Sequence, residues 1–552
     1  MRFAGIFKKY KYIILLMLLC LTAFFIRFLS IINLELSSDE YFDLDIISSL
    51  RHNPNPFDYD SSEYKSFQIE QMRFPFYLSL PFFYFYPSIQ ALRLISIIFA
   101  ILSIIVAYRF GNEFKDENVG ILTALFISIS TYHIAFSRFA LTASDSIFSF
   151  FYILSSLLFL KGMNSKYKNL MYLSAIFAGF AIASKLFGVF LIPIYGYFLL
   201  KKIKIDISGI DGISKKPLYL GIFVICTLIL NILINEKYLS IKLIFYFVSL
   251  ISLFLYTILI FKTRVSTNNL GYTAINMLIL IISFTFVLSP THLSIFAISN
   301  TFDWFDTWNF QPFLNSRFDN YIKILYIKLH FPINLLFLFG LIKTALNYKD
   351  NKDNFLFLSF IIPFIFLSLL NWKLTWHLMF LLPYVYLITA DVVLSLKKFL
   401  TIKFAYKSLL FFIIVLYIFI EAKILFITHP YYEFDGYQYG LKNIGSDKAA
   451  FLSRQKMPEA AKFVNENVPE NSTIGFYFTN YGYSNEYNLE FFRRYLDKKY
   501  KFISLNSSTT EYEKYDYAIL HFYSRDFMNA EKCMLIKTVS HLNINLFYVY
   551  KC

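Results

Sequence analysis

The chain has 552 residues, of which 57% are hydrophobic and only 16% charged, and its mean hydropathy is +0.52. Soluble domains carry about 25% charged residues, so a wholly soluble protein is excluded. The formal net charge of +15 would suggest a nucleic-acid partner in a soluble chain. Here the lysines cluster between apolar runs, where topology and anionic membrane lipids account for them, and no nucleic acid is expected.

The first apolar run, Tyr12 to Ile32, is long enough to cross a bilayer, which takes about 20 apolar residues. Lys8, Lys9 and Lys11 precede it and keep the amino terminus on the cytoplasmic side. No small-residue cleavage site follows, so the run reads as a retained anchor. In all, about 13 runs have membrane length, at 12–32, 88–109, 119–137, 146–160, 170–184, 186–200, 218–234, 239–261, 270–290, 331–348, 354–371, 374–394 and 408–427. The apolar segment 74–87 is too short to span and reads as interfacial or re-entrant.

Charge tests this map. The connections that should face the cytoplasm are basic: Lys201, Lys202, Lys204, Lys215 and Lys216 lie in one, Lys397, Lys398, Lys403 and Lys407 in another. The opposite connections carry few basic residues, and that asymmetry sets orientation. An odd number of spans puts the carboxyl terminus outside.

The first extracytoplasmic loop, 33–87, carries the adjacent carboxylates Asp39 and Glu40 a few residues beyond the first span. Asp43 and Asp45 follow and read as solvated loop residues. A second long outer loop, 291–330, mixes Trp304, Trp308, Arg317, Lys323 and Lys328, which suits a helix on the membrane surface or a plain solvated loop.

After residue 429 the chain turns polar. The stretch 430–552 alternates runs such as Thr473–Phe478, Tyr515–Phe522 and Asn545–Tyr550 with a helical stretch from Met457 to Asn467. This predicts a small extracytoplasmic α/β or α+β domain. Both N-x-[ST] sequons, at Asn471 and Asn506, fall in it, in keeping with an outside location. Cys533 and Cys552 could pair in an oxidising compartment, whereas Cys20 and Cys226 sit in apolar spans as packing residues.

No glycine-rich phosphate loop and no zinc-ligand spacing occurs. No cofactor is therefore expected, and a divalent metal, though chemically possible, has no motif. Charges at span ends are costly and mark candidates for function. Arg93 opens the second span and Arg73 ends the acidic loop. Arg138 and Asp145 occupy the outer turn between the third and fourth spans, with His133 just before them, and Lys185 lies at the next outer turn. Each taken alone reads equally as a side chain snorkelling to headgroups. As a group on the same side as Asp39 and Glu40, the cations suit a lipid phosphate.

That combination has a chemistry. A carboxylate takes a proton from an acceptor hydroxyl or amine, and fixed cations stabilise a departing phosphate. Direct attack by the acceptor inverts the sugar's anomeric centre.

The order of these residues resembles the polyprenyl-phosphate-dependent membrane glycosyltransferases of the C-type fold, more narrowly the protein O-mannosyltransferase and aminoarabinose transferase superfamily. The resemblance is carried by Asp39-Glu40, by Arg73-Phe74-Pro75-Phe76-Tyr77 and by Ala91-Leu92-Arg93-Leu94. Ser137-Arg138 followed by Asp145, Gly179 to Lys185, and Lys373 to Pro383 continue it. It implies a multi-pass α-helical transferase domain at 1–429 in the plasma membrane of a prokaryote, moving a hexose or pentose from a polyprenyl or dolichyl phosphate. The acceptor would be a protein, lipid or glycan. It further implies Asp39 as general base, Glu40 as an orienting acid, and Arg73, Arg93, Arg138 and Lys185 at the donor phosphate. The chain departs from relatives in having one proline, Pro75, where they often have two. It has no Trp-Trp-Asp-Tyr-Gly motif, which argues against an oligosaccharyltransferase catalytic subunit. A secondary transporter or lipid flippase, and a membrane scaffold with an external recognition domain, remain as alternatives.

Overall fold

The computed structural model describes residues 2–32, 38–52, 74–141, 145–164, 169–202, 216–233, 239–262, 270–288, 319–369, 375–398, 403–428 and 457–477. In the tail it also describes 489, 492–493, 496, 499–505, 515–521, 533–541 and 544–552. Arg73, Trp304, Trp308, Arg317 and Asn506 lie outside the described residues. The chain divides into two compact units. One comprises Met1–Ile32 with Asp43–Glu433, and the other Asn33–Phe42 with Phe434–Cys552.

Among its described residues the first unit is built of helices. Among the described residues, six helices are long and apolar enough to cross a membrane: Tyr10–Ile31, Ile89–Phe114, Ser146–Met163, Ile241–Phe261, His377–Ser395 and Phe404–Phe426. They coincide with six of the expected runs. The expected span at 119–137 is instead a broken pair, Glu117–Ile129 and Thr131–Ser137, bent by 61°. Five more expected runs are apolar helices of 10–17 residues, as is Phe74–Phe85 in the segment expected to be too short. The remaining expected run, 354–371, falls on the helix Asn351–Leu369, and six helices, or seven with the bent pair, meet both the length and the composition of a crossing among the described residues.

Label α1 the helix Arg2–Ile32, α2 Ser38–His52, α3 Phe74–Phe85, α4 Ile89–Phe114, α5 Glu117–Ile129 and α6 Thr131–Ser137. The start of α4 is capped by the Ser88 hydroxyl, which accepts from the Ala91 N–H, and that of α5 by Asp116, which accepts from Asn118 and Val119 N–H. Such caps answer N–H groups that the first turn leaves unpaired. Where α4 and α5 cross, a Cβ at Gly120 would stand 2.5 Å from the Tyr108 carbonyl oxygen. Only glycine admits that approach.

One end of the bundle is tied by Asp391. Its nearly buried carboxylate accepts from both Lys115 and Lys343, and both lysines also reach the Ser395 hydroxyl, at 3.2 and 3.1 Å. Lys352 donates to the Glu113 and Phe114 carbonyls that end α4, and Lys201 to Asn351. These bonds gather Lys115, Lys201, Lys343, Lys352 and Ser395 at one end of the helices.

The second unit holds a five-stranded sheet of order β2-β1-β3-β5-β4, built from β1 Thr473–Tyr477, β2 Lys501–Ser504, β3 Tyr517–His521, β4 Met534–His541 and β5 Ile544–Lys551. The strands β2, β1 and β3 are parallel, and β5 and β4 antiparallel. The helix Met457–Asn467 matches its expected limits and buries Ala460, Ala461 and Val464. Leu505, Tyr515, Ala518, Leu520, Cys533, Tyr548 and Tyr550 form one core cluster.

Cys533 and Cys552 are joined, closing a 19-residue separation across the β4–β5 hairpin. Loops of this size give a disulfide stabilisation of about 3 kcal/mol by constraining the unfolded chain. In full-length protein, Cys552→Ser should make the tail more sensitive to limited proteolysis, and dithiothreitol should bring the wild type to the same level. Equal resistance of both proteins without reductant would show that the bond contributes nothing.

Candidate active site

The broken span places Arg138. At the bend, Ser130 accepts into its hydroxyl from His133 N–H and from the Tyr386 hydroxyl at 2.6 Å. The Thr131 N–H, freed by the break, donates to the Glu421 carboxylate at 2.7 Å. The short helix α6 then ends at Ser137, and Arg138 follows as its C-cap. Arg138 is fully buried, donates from Nε to the Ala135 carbonyl and lies 5.4 Å from the Phe139 ring centre.

Lys185 and Asp145, 40 apart in sequence, meet. Lys185 Nζ is 2.7 and 2.9 Å from the two Asp145 carboxylate oxygens, with both side chains 4% exposed. Each comes from a break. Lys185 is extended between the helix Asn169–Ser184 and a 3-10 turn, Leu186–Phe190. Asp145 precedes the helix Ser146–Asn164 with φ at +50°, a left-handed conformation that aspartate tolerates better than most residues. Burial, the largest influence, raises the Asp145 pKa, and the Lys185 ammonium opposes it. Two of the three lysine protons are thus directed at the carboxylate.

Further residues stand around this pair. Lys185 lies 5.4 Å from the centre of the Phe187 ring, and that ring meets His377 edge-on at 5.0 Å. The Tyr321 hydroxyl, on the outer-loop helix Asp319–Leu329, is 3.5 Å from His377 Nδ1. His377 lies inside the segment that carried the family resemblance, yet a lone histidine in an apolar run gave no cue by type.

Arg93 is buried in the first turn of α4 and donates to the Ile31 carbonyl at the end of α1, at 3.3 Å. His133 faces Arg27 across 2.8 Å. Because guanidinium only donates, His133 Nδ1 is the acceptor and the ring proton sits on Nε2. No group of three or more His, Cys, Asp or Glu that could hold a metal occurs among the described residues.

The acidic pair is helical. Asp39 and Glu40 open α2, and the Glu40 side chain is fully buried, whereas the side chain of Asp39 lies outside the described residues. One expectation is corrected. Asp43 is not a solvated loop residue but sits in α2 with its side chain fully buried. Three residues after Glu40, it falls on the same helix face. An ionisable group is not buried without a partner or a task, so the acids of interest number three. Asp45's side chain lies outside the described residues.

A family model described as dolichyl-phosphate-mannose-protein mannosyltransferase matches residues 74–234, a stretch that includes Arg93, His133, Arg138, Asp145 and Lys185. No curated protein matches the chain by sequence. Among solved structures, the oligosaccharyltransferase AglB from Archaeoglobus fulgidus, in complex with an inhibitory peptide and a dolichol-phosphate, superposes with a TM-score of 0.50 at 14% identity. The match covers 94% of this chain and 70% of that one. ArnT from Cupriavidus metallidurans in the apo state superposes with a TM-score of 0.50 at 12% identity, over 97% of each chain. At such identities the likeness is one of fold. In its matched segment and in its fold, the chain resembles the polyprenyl-phosphate-dependent membrane glycosyltransferases of the C-type fold.

Proposed function

We propose that the protein is a membrane glycosyltransferase that moves a sugar from a polyprenyl-type phosphate to an acceptor outside the cytoplasm. The observation that carries this reading is the buried Lys185–Asp145 pair, set beside His377 and Tyr321 and lying, with Arg138, in the matched segment. Two cations held at outer turns can grip a lipid phosphate at headgroup level. That AglB has been seen with dolichol-phosphate supports the donor class.

In the proposed reaction Asp39 takes the proton from the acceptor O–H or N–H. The freed lone pair forms the bond to the sugar's anomeric carbon, while the bond from that carbon to the phosphate oxygen breaks. Its electrons leave on polyprenyl phosphate, and the anomeric centre inverts. Arg138, Lys185 and Arg73 stabilise the leaving phosphate, each well-placed donor contributing roughly 2.7–4 kcal/mol by analogy with oxyanion holes. Glu40 orients the acceptor, and Arg93, which donates to the Ile31 carbonyl at the end of α1, is a further cation for the phosphate.

One observation speaks for a transporter: a broken span, which transporters use to build sites at mid-membrane. Here the break is answered by side chains of neighbouring helices. Purified protein incubated with radiolabelled dolichyl-phosphate mannose and undecaprenyl-phosphate aminoarabinose, together with membrane extract, should pass label to an acceptor. Uptake of the lipid-linked sugar into sealed vesicles without transfer would favour the transporter instead.

A further inference from the structure

The first span carries one charge in its interior. The face of α1 that bears Leu18, Leu21, Phe25 and Leu29 is exposed and apolar, while Ala23, Arg27, Ser30 and Ile31 are buried. Arg27 is therefore on the inward stripe and fully enclosed, which in a membrane helix calls for a reason. Its bonds supply one. Nε donates to the Ser137 hydroxyl at 2.7 Å, Nη2 to His133 Nδ1 at 2.8 Å, and Nη1 to the Ala23 and Ser128 carbonyls at 2.9 and 3.3 Å. Four of the guanidinium's five donors go to protein acceptors, the pattern of a brace.

What it braces is the broken span. Ser128 lies at the end of α5, His133 in the middle of α6, and Ser137 at its last residue. One side chain thus grips the corner before the bend and the short helix beyond it. From the last span, Lys403–Thr428, Glu421 closes the same corner. One carboxylate oxygen takes the Thr131 N–H at 2.7 Å, and the other is 3.1 Å from His330 Nδ1, both side chains being 1% exposed. Tyr417 of that helix donates to the Phe126 carbonyl at 3.2 Å. Inside a bilayer each backbone group freed by a bend costs several kcal/mol if left unanswered. A neutral helix bend would need only neutral partners. This one is held by a cation from the first span and an anion from the last, and the next residue past the gripped helix is Arg138.

We propose that Arg27 and Glu421 are positioning residues, which fix α6 and so hold Arg138 where a donor phosphate can meet its guanidinium. The phosphate half rests on the function proposed above, and the brace itself does not. Arg27→Lys keeps the charge but loses the planar fork, and Ser137→Ala removes the bond from Arg27 Nε together with the hydroxyl's own 3.3 Å bond to the Ile134 carbonyl.

The experiment reads position and binding separately. With Cys20 and Cys226 changed to Ser, a spin label on Arg138→Cys should be immobile beside Arg27 and mobile in both Arg27→Lys and Ser137→Ala. In nanodiscs, binding of undecaprenyl phosphate should weaken about 10- to 100-fold in Arg27→Lys, because a misplacement of about 1 Å can cost that much. The thermal midpoint should stay within a few degrees, or Ser137→Ala carries the test. In an Arg138→Ala background, Arg27→Lys should weaken binding no further, since it acts through a group already gone. Additive losses, or a label equally immobile in all variants, would overturn the proposal. If the wild type binds no undecaprenyl phosphate, the donor reading fails and the spin label alone decides the brace.

Discussion

Asp39→Asn should lower sugar transfer by about 10²–10⁴-fold while donor affinity stays within about twofold, because a positioned base contributes on that order. Asparagine keeps the size of the side chain and much of its hydrogen bonding but takes no proton. Initial rates of label transfer and donor binding, measured on one preparation, separate the two effects. Glu40→Gln should be milder if Glu40 only orients the acceptor. Burial changes the expectation for Asp43: Asp43→Asn should lower activity measurably and not behave as a silent surface change. Should Asp43→Asn abolish transfer while Asp39→Asn turns over normally, the base is Asp43, one turn further along α2. Normal turnover in all three variants would remove the acids from the reaction.

What the sequence disclosed and what it hid divide along physical lines. Apolar runs of membrane length betray themselves by composition, and the helix Met457–Asn467 by its amphipathic period. The strands β1, β3 and β5 stand out as short runs of apolar and aromatic residues, but β2 has four residues and β4 carries Lys537 and Thr538 in its middle, and neither shows a clear pattern. The bend at Ser130 was invisible because no proline or glycine marks it. The groups it frees are met by Arg27, Glu421 and Tyr386, which come from distant parts of the chain.

The candidate site was legible at the turns and illegible inside the helices. Asp145 and Lys185 announced themselves as charges where apolar runs end, and they do meet. Arg27 and Asp391 gave the same signal, a single charge inside an apolar run, Glu421 shares its run with Lys423, and all three were absorbed into the spans around them. Asp43 was lost differently. The acidic count of residues 33–72 suggests a solvated loop, yet Phe42, Ile46, Ile47 and Leu50 recur at helical spacing, and α2 follows that period.

Lys185→Ala should abolish donor binding and also cost about 3–5 kcal/mol of stability, because it leaves the Asp145 carboxylate buried without its cation. Loss of activity in that variant alone would therefore say little about phosphate. The pair has to be removed together. Lys185→Met with Asp145→Leu replaces both charges by apolar groups of similar volume, and buried pairs replaced in this way often lose no stability. The double variant should then unfold near the wild-type midpoint while binding of the polyprenyl phosphate falls as far as in Lys185→Ala. Asp145→Asn alone should retain part of the binding, since Lys185 keeps its charge and one hydrogen-bonding partner. Wild-type donor binding in the stable double variant would make the pair an element of packing between two helix breaks and leave the phosphate to Arg138 and Arg93.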